Sequence, residues 1–354
     1  MQKASLYLLV LGAVCISVSC NKSSSTTSSE DTGNWIKRSE FEGSQRTNAA
    51  SFVIGDVAYI GGGYDGTARL NDFWKFDPTG NGSWRQVADF TGTARSNAVG
   101  FAVGNVGYVA TGNDGNVKLK DNWAYDATAN TWTKKNDFSG AARYDAVAFA
   151  INGKGYITTG YGDNTSGGSS NLKDIWEYNP SADSWTQKTS LGGDKRTGAS
   201  VFVYKNVAYV FAGMNNGYGV NDMWAYDPSK DSWTAKRKLS NVTDSTFDDD
   251  YSDITRAYAA TFVIGDFGYI STGQLVAPSS STGGSSGTST KTWQYDFAND
   301  TWARRTAYEG KARTGAVGFT VAGRGFIATG GAGSSSFYDD IWELDPNNTY
   351  NAND

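Results

Sequence analysis

Residues 95–135 read RSNAVGFAVGNVGYVATGNDGNVKLKDNWAYDATANTWTKK. Nine residues after Arg95 comes Gly104-Asn105, a hairpin-turn dipeptide; four further on is Tyr108, and four more bring Gly112. The second half carries Asp121-Asn122-Trp123-Ala124-Tyr125-Asp126, and another tryptophan, Trp132, follows six residues after Asp126. A strand, a tight turn, a second strand and two further tryptophan-marked strands account for this order.

The same unit recurs from end to end. Its opening arginines are Arg46, Arg95, Arg143, Arg196, Arg256 and Arg313, and the spacing from each to its turn, aromatic and glycine never varies. The glycines are Gly63, Gly112, Gly160, Gly213, Gly273 and Gly330, and the D-x-W tryptophans are Trp74, Trp123, Trp176, Trp224, Trp293 and Trp342. A period of about fifty residues with four strands per unit is that of a propeller blade. The glycine after the second strand, the aromatic-Asp pair and the spaced tryptophan resemble the kelch repeat, over residues 35–350. The resemblance implies an all-β, six-bladed kelch-type β-propeller, in the superfamily that includes galactose-oxidase-like and sialate-epimerase-like propellers. Composition agrees: 43 Gly, 5 Pro and 14% aromatics suit short strands and tight turns. The tryptophans are read as packing between blades.

The sixth unit lacks its last tryptophan, since position 351 is Asn351, whereas Trp35 stands eleven residues before Arg46, the spacing kept in four later units. The N-terminal strand is therefore expected to complete the last blade and close the ring, leaving no open sheet edge.

Residues 1–19 form a basic start and an apolar run ending in Ser17-Val18-Ser19, followed by Cys20. This reads as a secretory signal. Ser-x-Ser-Cys resembles the bacterial lipobox, which implies lipidation of Cys20, an exported protein and anchoring at the outer membrane or cell surface; an ordinary signal peptide cut elsewhere is the alternative. Residues 20–33 then act as a Ser/Thr-rich tether and 34–354 as the propeller. Cys15 and Cys20 are the only cysteines, so a disulfide framework is not expected.

Lys3 is the only charge in 1–19, which leaves 30 basic and 36 acidic side chains and a net charge of −6 beyond it. Mild acidity without a basic stripe argues against nucleic acid as a partner. The chain has no histidine and no cysteine beyond position 20. Copper-radical oxidation of the galactose-oxidase kind, zinc chemistry and Ser-His or Cys-His catalysis are excluded on that ground. Carboxylate or tyrosine acid–base catalysis stays open, but none of the glutamates, Glu30, Glu40, Glu42, Glu177, Glu309 and Glu343, follows a second-strand glycine. No cofactor is expected, and the domain is expected to be a monomer.

Function is expected on one face. The turn within each first hairpin is minimal, whereas the Gly-to-Trp distances run 11, 11, 16, 11, 20 and 12, and one Trp-to-Arg distance grows from 11 to 23. All these insertions fall on the face formed by second-to-third-strand and blade-to-blade connections, and variable loops on a rigid scaffold are where binding resides. Candidate ligand residues there are Tyr64, Asp65, Asn113, Asp114, Tyr161, Asp163, Asn164, Asn215, Asn216 and Gln274. Aromatic surfaces beside amides and carboxylates suit sugar hydroxyls, and the same residues are also those that turns require. The arginines form a potential cationic ring, or pair with the Asp of D-x-W. Unit five has Lys291 in that Asp position, which makes Arg256 the candidate for a free arginine. Asp-rich residues 244–253 are either a calcium loop or a solvated acidic loop. The reading is a binding module for a carbohydrate or protein partner; the alternative is a metal-free epimerase or mutarotase.

Overall fold

A computed structural model describes residues 32–164, 166–239, 253–277 and 287–353. The signal segment 1–19, Cys20, most of the tether and acidic residues 244–252 lie outside the described residues.

Among the described residues there are six four-stranded antiparallel sheets, one for each sequence unit. Blade 1 consists of Ala50–Ile54, Val57–Gly61, Phe73–Asp77 and Ser83–Val87 in that spatial order, and blades 2 to 5 repeat it. In every blade the first two strands flank the dipeptide the sequence marks as a turn. Asn152-Gly153, Lys205-Asn206 and Ala322-Gly323 take positive φ at both positions, as a type I′ turn requires. The Gly55, Gly104 and Gly265 turns take it at the glycine, as in type II′.

Blade 6 joins Val317–Val321, Arg324–Ala328 and Ile341–Thr349 to the N-terminal strand Thr32–Lys37, in which Trp35 pairs with Leu344. The first and last sequence units thus share a sheet, and the ring closes as expected. The strand begins at Thr32, two residues before the expected boundary. Trp35 is fully buried, edge-on to Tyr308 with centroids 5.0 Å apart, and donates its indole N–H to Thr306 O at 3.2 Å. Trp132, Trp185 and Trp233 donate to the chain leaving the preceding blade, at Ala88 O, Asn136 O and Thr189 O. The outer tryptophans are therefore packed between blades and tether one blade to the next.

The blades pack through a size alternation. Phe52, Phe101 and Phe262 each stack on the aromatic opposite them in the second strand, with centroids 5.0–5.5 Å apart. Each ring lies against a glycine of the following blade: a Cβ on Gly107, Gly155 or Gly325 would stand 2.1–2.2 Å from it. The missing side chain on one blade makes room for the ring of its neighbour.

Closure rests on Trp35. Trp35→Ala is expected to cost about 3–5 kcal/mol, because the cavity forms where the last blade is held to the fifth. Chemical denaturation checks this, and a loss below about 1 kcal/mol would show that the ring does not depend on this contact.

Candidate functional site

The arginines are not a cationic ring open to ligands. Arg46, Arg95, Arg143, Arg196, Arg256 and Arg313 are all fully or almost fully buried, and each sits four residues before its inner strand. Arg46, Arg95 and Arg143 grip Asp72, Asp121 and Asp174 through two parallel hydrogen bonds of 2.6–2.7 Å. Arg196 pairs with Asp222 and Arg313 with Asp340. The tryptophan two residues on donates to the same carboxylate in four blades, as Trp123 does to Asp121 at 2.7 Å. Arg46, Arg95 and Arg143 hold their partner carboxyls below the usual carboxylate range, against the burial that pushes these groups upward.

Arg256 is a correction to the sequence reading: it is buried, not free. Its guanidinium donates to Thr272 O, Lys291 O and Asp253 O at 2.5–3.1 Å. Burial lowers it to about 10, with the Asp253 charge acting against that shift. Asp253 arrives from the long blade-to-blade connection and takes the place of the absent D-x-W carboxylate. It pairs with Lys291 and accepts the Trp293 indole N–H at 2.8 Å. Lysine and aspartate have exchanged places around the same tryptophan.

The variable-loop candidates divide by what their side chains hold. Asp65 accepts the backbone N–H of Thr67 and Ala68, Asp114 those of Asn116 and Val117, and Asn164 those of Ser166 and Gly168, at 2.7–3.0 Å. These three build their own loops, and the bonds from Val117 and Asn116 lower the Asp114 carboxyl. Asn216 holds a hairpin turn at φ 50°, the left-handed region asparagine tolerates. Tyr64 donates to Gly66 O at 2.8 Å, Asn215 accepts from Asn171 at 3.0 Å, and Gln274 is exposed on a ribbon paired with Ala257.

Asn113, Tyr161 and Asp163 come together at one cavity of about 580 Å³ between the loops of blades 2 and 3. Asn116, Lys118 and Tyr144, which the sequence reading missed, line it too. Arg143–Tyr144, Tyr161–Asp163 and Ser169–Asn171 form an extra three-stranded ribbon, which is how the blade 3 insertion is used. The ribbon sets Tyr144 and Tyr161 side by side, centroids 5.6 Å apart. Lys118 reaches over Tyr161 and pairs with Asp163 at 2.7 Å. The cavity thus offers two aromatic faces, an amide pair and a charge pair.

At the axis the blades meet in a second, smaller cavity of about 130 Å³. Asn48, Asn97, Asp145, Gly198, Tyr258 and Gly315, each two residues after its arginine, stand around it, all with φ between 54° and 61°. Each backbone N–H donates to the carbonyl of the residue before it in the ring, at 2.8–3.2 Å, and Asn48 N closes the circuit on Gly315 O. Tyr258 reaches over Gly198 and donates to Asp145 Oδ2 at 3.3 Å; Asn97 Nδ2 donates to Asp145 Oδ1 at 2.5 Å. Burial raises Asp145 to about 6, and the hydrogen bonds from Asn97 and Tyr258 only partly offset it. Burial, then the charge of Asp145, raises Tyr258. A comparison of the six positions two residues after each arginine would have singled out Asp145 and Tyr258.

Six radial four-stranded sheets closed by the N-terminal strand define a β-propeller. The Kelch motif family model matches residues 45–91 and 195–240, each match starting one residue before an arginine of the repeat. A solved structure titled "Structure of YjhT" has the same fold, with a TM-score of 0.69 and 17% identity, covering 86% of this chain and 95% of that one. No curated protein matches the sequence. The chain is a β-propeller, and two of its six units match the Kelch motif.

Asp145 makes stability depend on pH in a stated direction. Its folded-state value lies above the unfolded one, so the native state holds the proton more tightly and stability falls as pH rises from about 4 to about 6. Asp145→Asn should be more stable than the parent by about 1–3 kcal/mol at pH 8, with the gain vanishing near pH 4. Melting curves at the two pH values check this, and an equal gain at both would disprove the assigned shift.

Proposed function

We propose that this propeller is an exported, lipid-anchored carbohydrate-binding module, with the sugar stacked against the tyrosine pair Tyr144 and Tyr161 on the variable-loop face. The observation that carries the reading is the tyrosine pair set 5.6 Å apart beside Asn113, Asn116, Lys118 and Asp163. Aromatic faces take the C–H side of a sugar ring, while amide and charged groups bond its hydroxyls. Export and anchoring rest on the Met1 to Cys20 pattern.

One observation favours the second reading, a metal-free sugar-modifying enzyme: Asp145, raised to about 6, lies in contact with the Tyr258 hydroxyl. A carboxyl poised near neutral pH beside a phenol is suited to moving a proton. NMR of anomer exchange in the presence of the protein distinguishes turnover from binding alone.

A glycan array on the soluble domain tests the main reading. For any sugar found, Tyr161→Ala should weaken binding by about 1–3 kcal/mol in calorimetry. Asp56→Ala and Asn105→Ala, in the minimal turns of the opposite face, should leave affinity unchanged. Loss in those two with full binding by Tyr161→Ala would place the site on the wrong face. Palmitate labelling that is lost in Cys20→Ser supports the anchor; equal labelling removes it.

A further inference from the structure

We propose that the axial cavity is a binding site for a primary ammonium group, presented by an amino sugar whose ring occupies the outer tyrosine pocket. The inference rests on the carbohydrate reading for the carrier, but the ammonium site itself stands on the axial geometry.

Asp145 is the one charged side chain among the residues lining that cavity. It holds two donors, Asn97 at 2.5 Å and Tyr258 at 3.3 Å, but neither carries a charge. A half-buried carboxylate so placed, with only neutral donors on it, gains from a cation. The surroundings select which cation. Asn97 turns its N–H toward the carboxylate, so its amide adds no oxygen ligand there, and a hard metal ion, which needs several oxygens, is poorly served. An ammonium instead brings its own hydrogen-bond donors. The second oxygen of Asp145, the Asn48 Oδ1 turned toward the space that Gly315 leaves open, and the Tyr258 ring are the groups to receive it. A space of about 130 Å³ admits such a head group and excludes a sugar ring.

A chain of hydrogen-bonded side chains links the walls of the two cavities. Asn113, which lines the outer pocket, donates to Asn97 Oδ1 at 3.4 Å, and Asn97 donates to Asp145. Tyr144 lines the outer pocket, and its chain neighbour Asp145 lines the axial one. A ring stacked on the tyrosines therefore lies beside a polar wall, Asn113 and Asn97, that ends in the Asp145 carboxylate.

The titratable groups around Asp145 are Tyr258 across the ring and Tyr144 beside it, with Lys118 beyond Tyr144. Both tyrosines are raised and stay neutral between pH 5 and pH 7. Asp145 is the group that changes in that interval, from mostly protonated to mostly ionised.

Two measurements test the inference. Calorimetry compares the trimer of glucosamine with the trimer of N-acetylglucosamine. The amine form should bind about tenfold more tightly at pH 7, and the preference should shrink to about unity at pH 5 and in Asp145→Asn. No preference for the amine at pH 7, or one that survives in Asp145→Asn, would overturn the proposal. The second measurement follows the Asp145 carboxyl by ¹³C NMR while methylammonium chloride is added, with sodium chloride at equal ionic strength as control. Methylammonium should lower the titration midpoint and sodium should not; an unmoved midpoint would overturn the proposal. If neither trimer binds but methylammonium shifts Asp145, the carbohydrate reading fails and the ammonium site stands.

Discussion

Each blade of this propeller is fastened by a buried arginine, and the rest of the architecture follows from the demands of that one charge. In blades 1 to 3 the guanidinium donates to a backbone carbonyl two residues back, to another sixteen residues ahead at the exit of the second strand, and twice to an aspartate. Its own carbonyl accepts the N–H of the second-strand glycine of the preceding blade, as Arg95 O does from Gly63 at 2.8 Å. One residue thus ties two strands of its blade to each other and to the blade before. A charge removed from water is tolerated only when every donor is received; leaving one partner unpaired costs about 3–5 kcal/mol. The fixed spacing between arginine and glycine is the trace of this requirement. Blade 5 meets it differently: where the usual aspartate is Lys291, Arg256 is received by the main-chain oxygens of Asp253, Thr272 and Lys291, and the Asp253 carboxylate receives the lysine and the tryptophan.

Because the arginines are spent on structure, the variable-loop face is built from what lies between and after them. The loops beyond the second-strand glycine fold into short ribbons, and the blade 3 ribbon positions Tyr144 and Tyr161. Closer to the axis, the residue two places after each arginine and the alanine that follows it face the cavity from every blade.

The repeat, its turns and the closure by Trp35 were legible in the sequence because each is local: a dipeptide, a fixed spacing, one tryptophan missing at one end and present at the other. The face of the disc that carries the insertions was legible for the same reason. Three things were not. The role of Asp253 depends on a long connection folding back onto Lys291 and Trp293, which no spacing encodes. Asp65, Asp114 and Asn164 read equally well as ligands or as turn builders, and only their short bonds to following N–H groups decide for the turn. The pairing of Asp145 with Tyr258 spans 113 residues and crosses the ring, so it exists only once the blades are arranged in a circle.

The circuit of six backbone hydrogen bonds around the axis has a further consequence. Every N–H and every C=O in it is already engaged with a neighbouring blade, all in the same rotational sense. The main-chain N–H groups of the circuit are therefore taken, and what the mouth presents is set by the residues at these six positions, each carried by a different blade, and by the alanine that follows each of them. Such a rim works like a combination lock with six dials, three of them linked through the Asn97–Asp145–Tyr258 hydrogen bonds: Asn, Asn, Asp, Gly, Tyr and Gly are the present setting. A dial can be turned by one substitution while the frame that holds it stays still, provided the new residue accepts a left-handed backbone. The chemistry displayed at the axis can thus change without any change in the propeller that presents it.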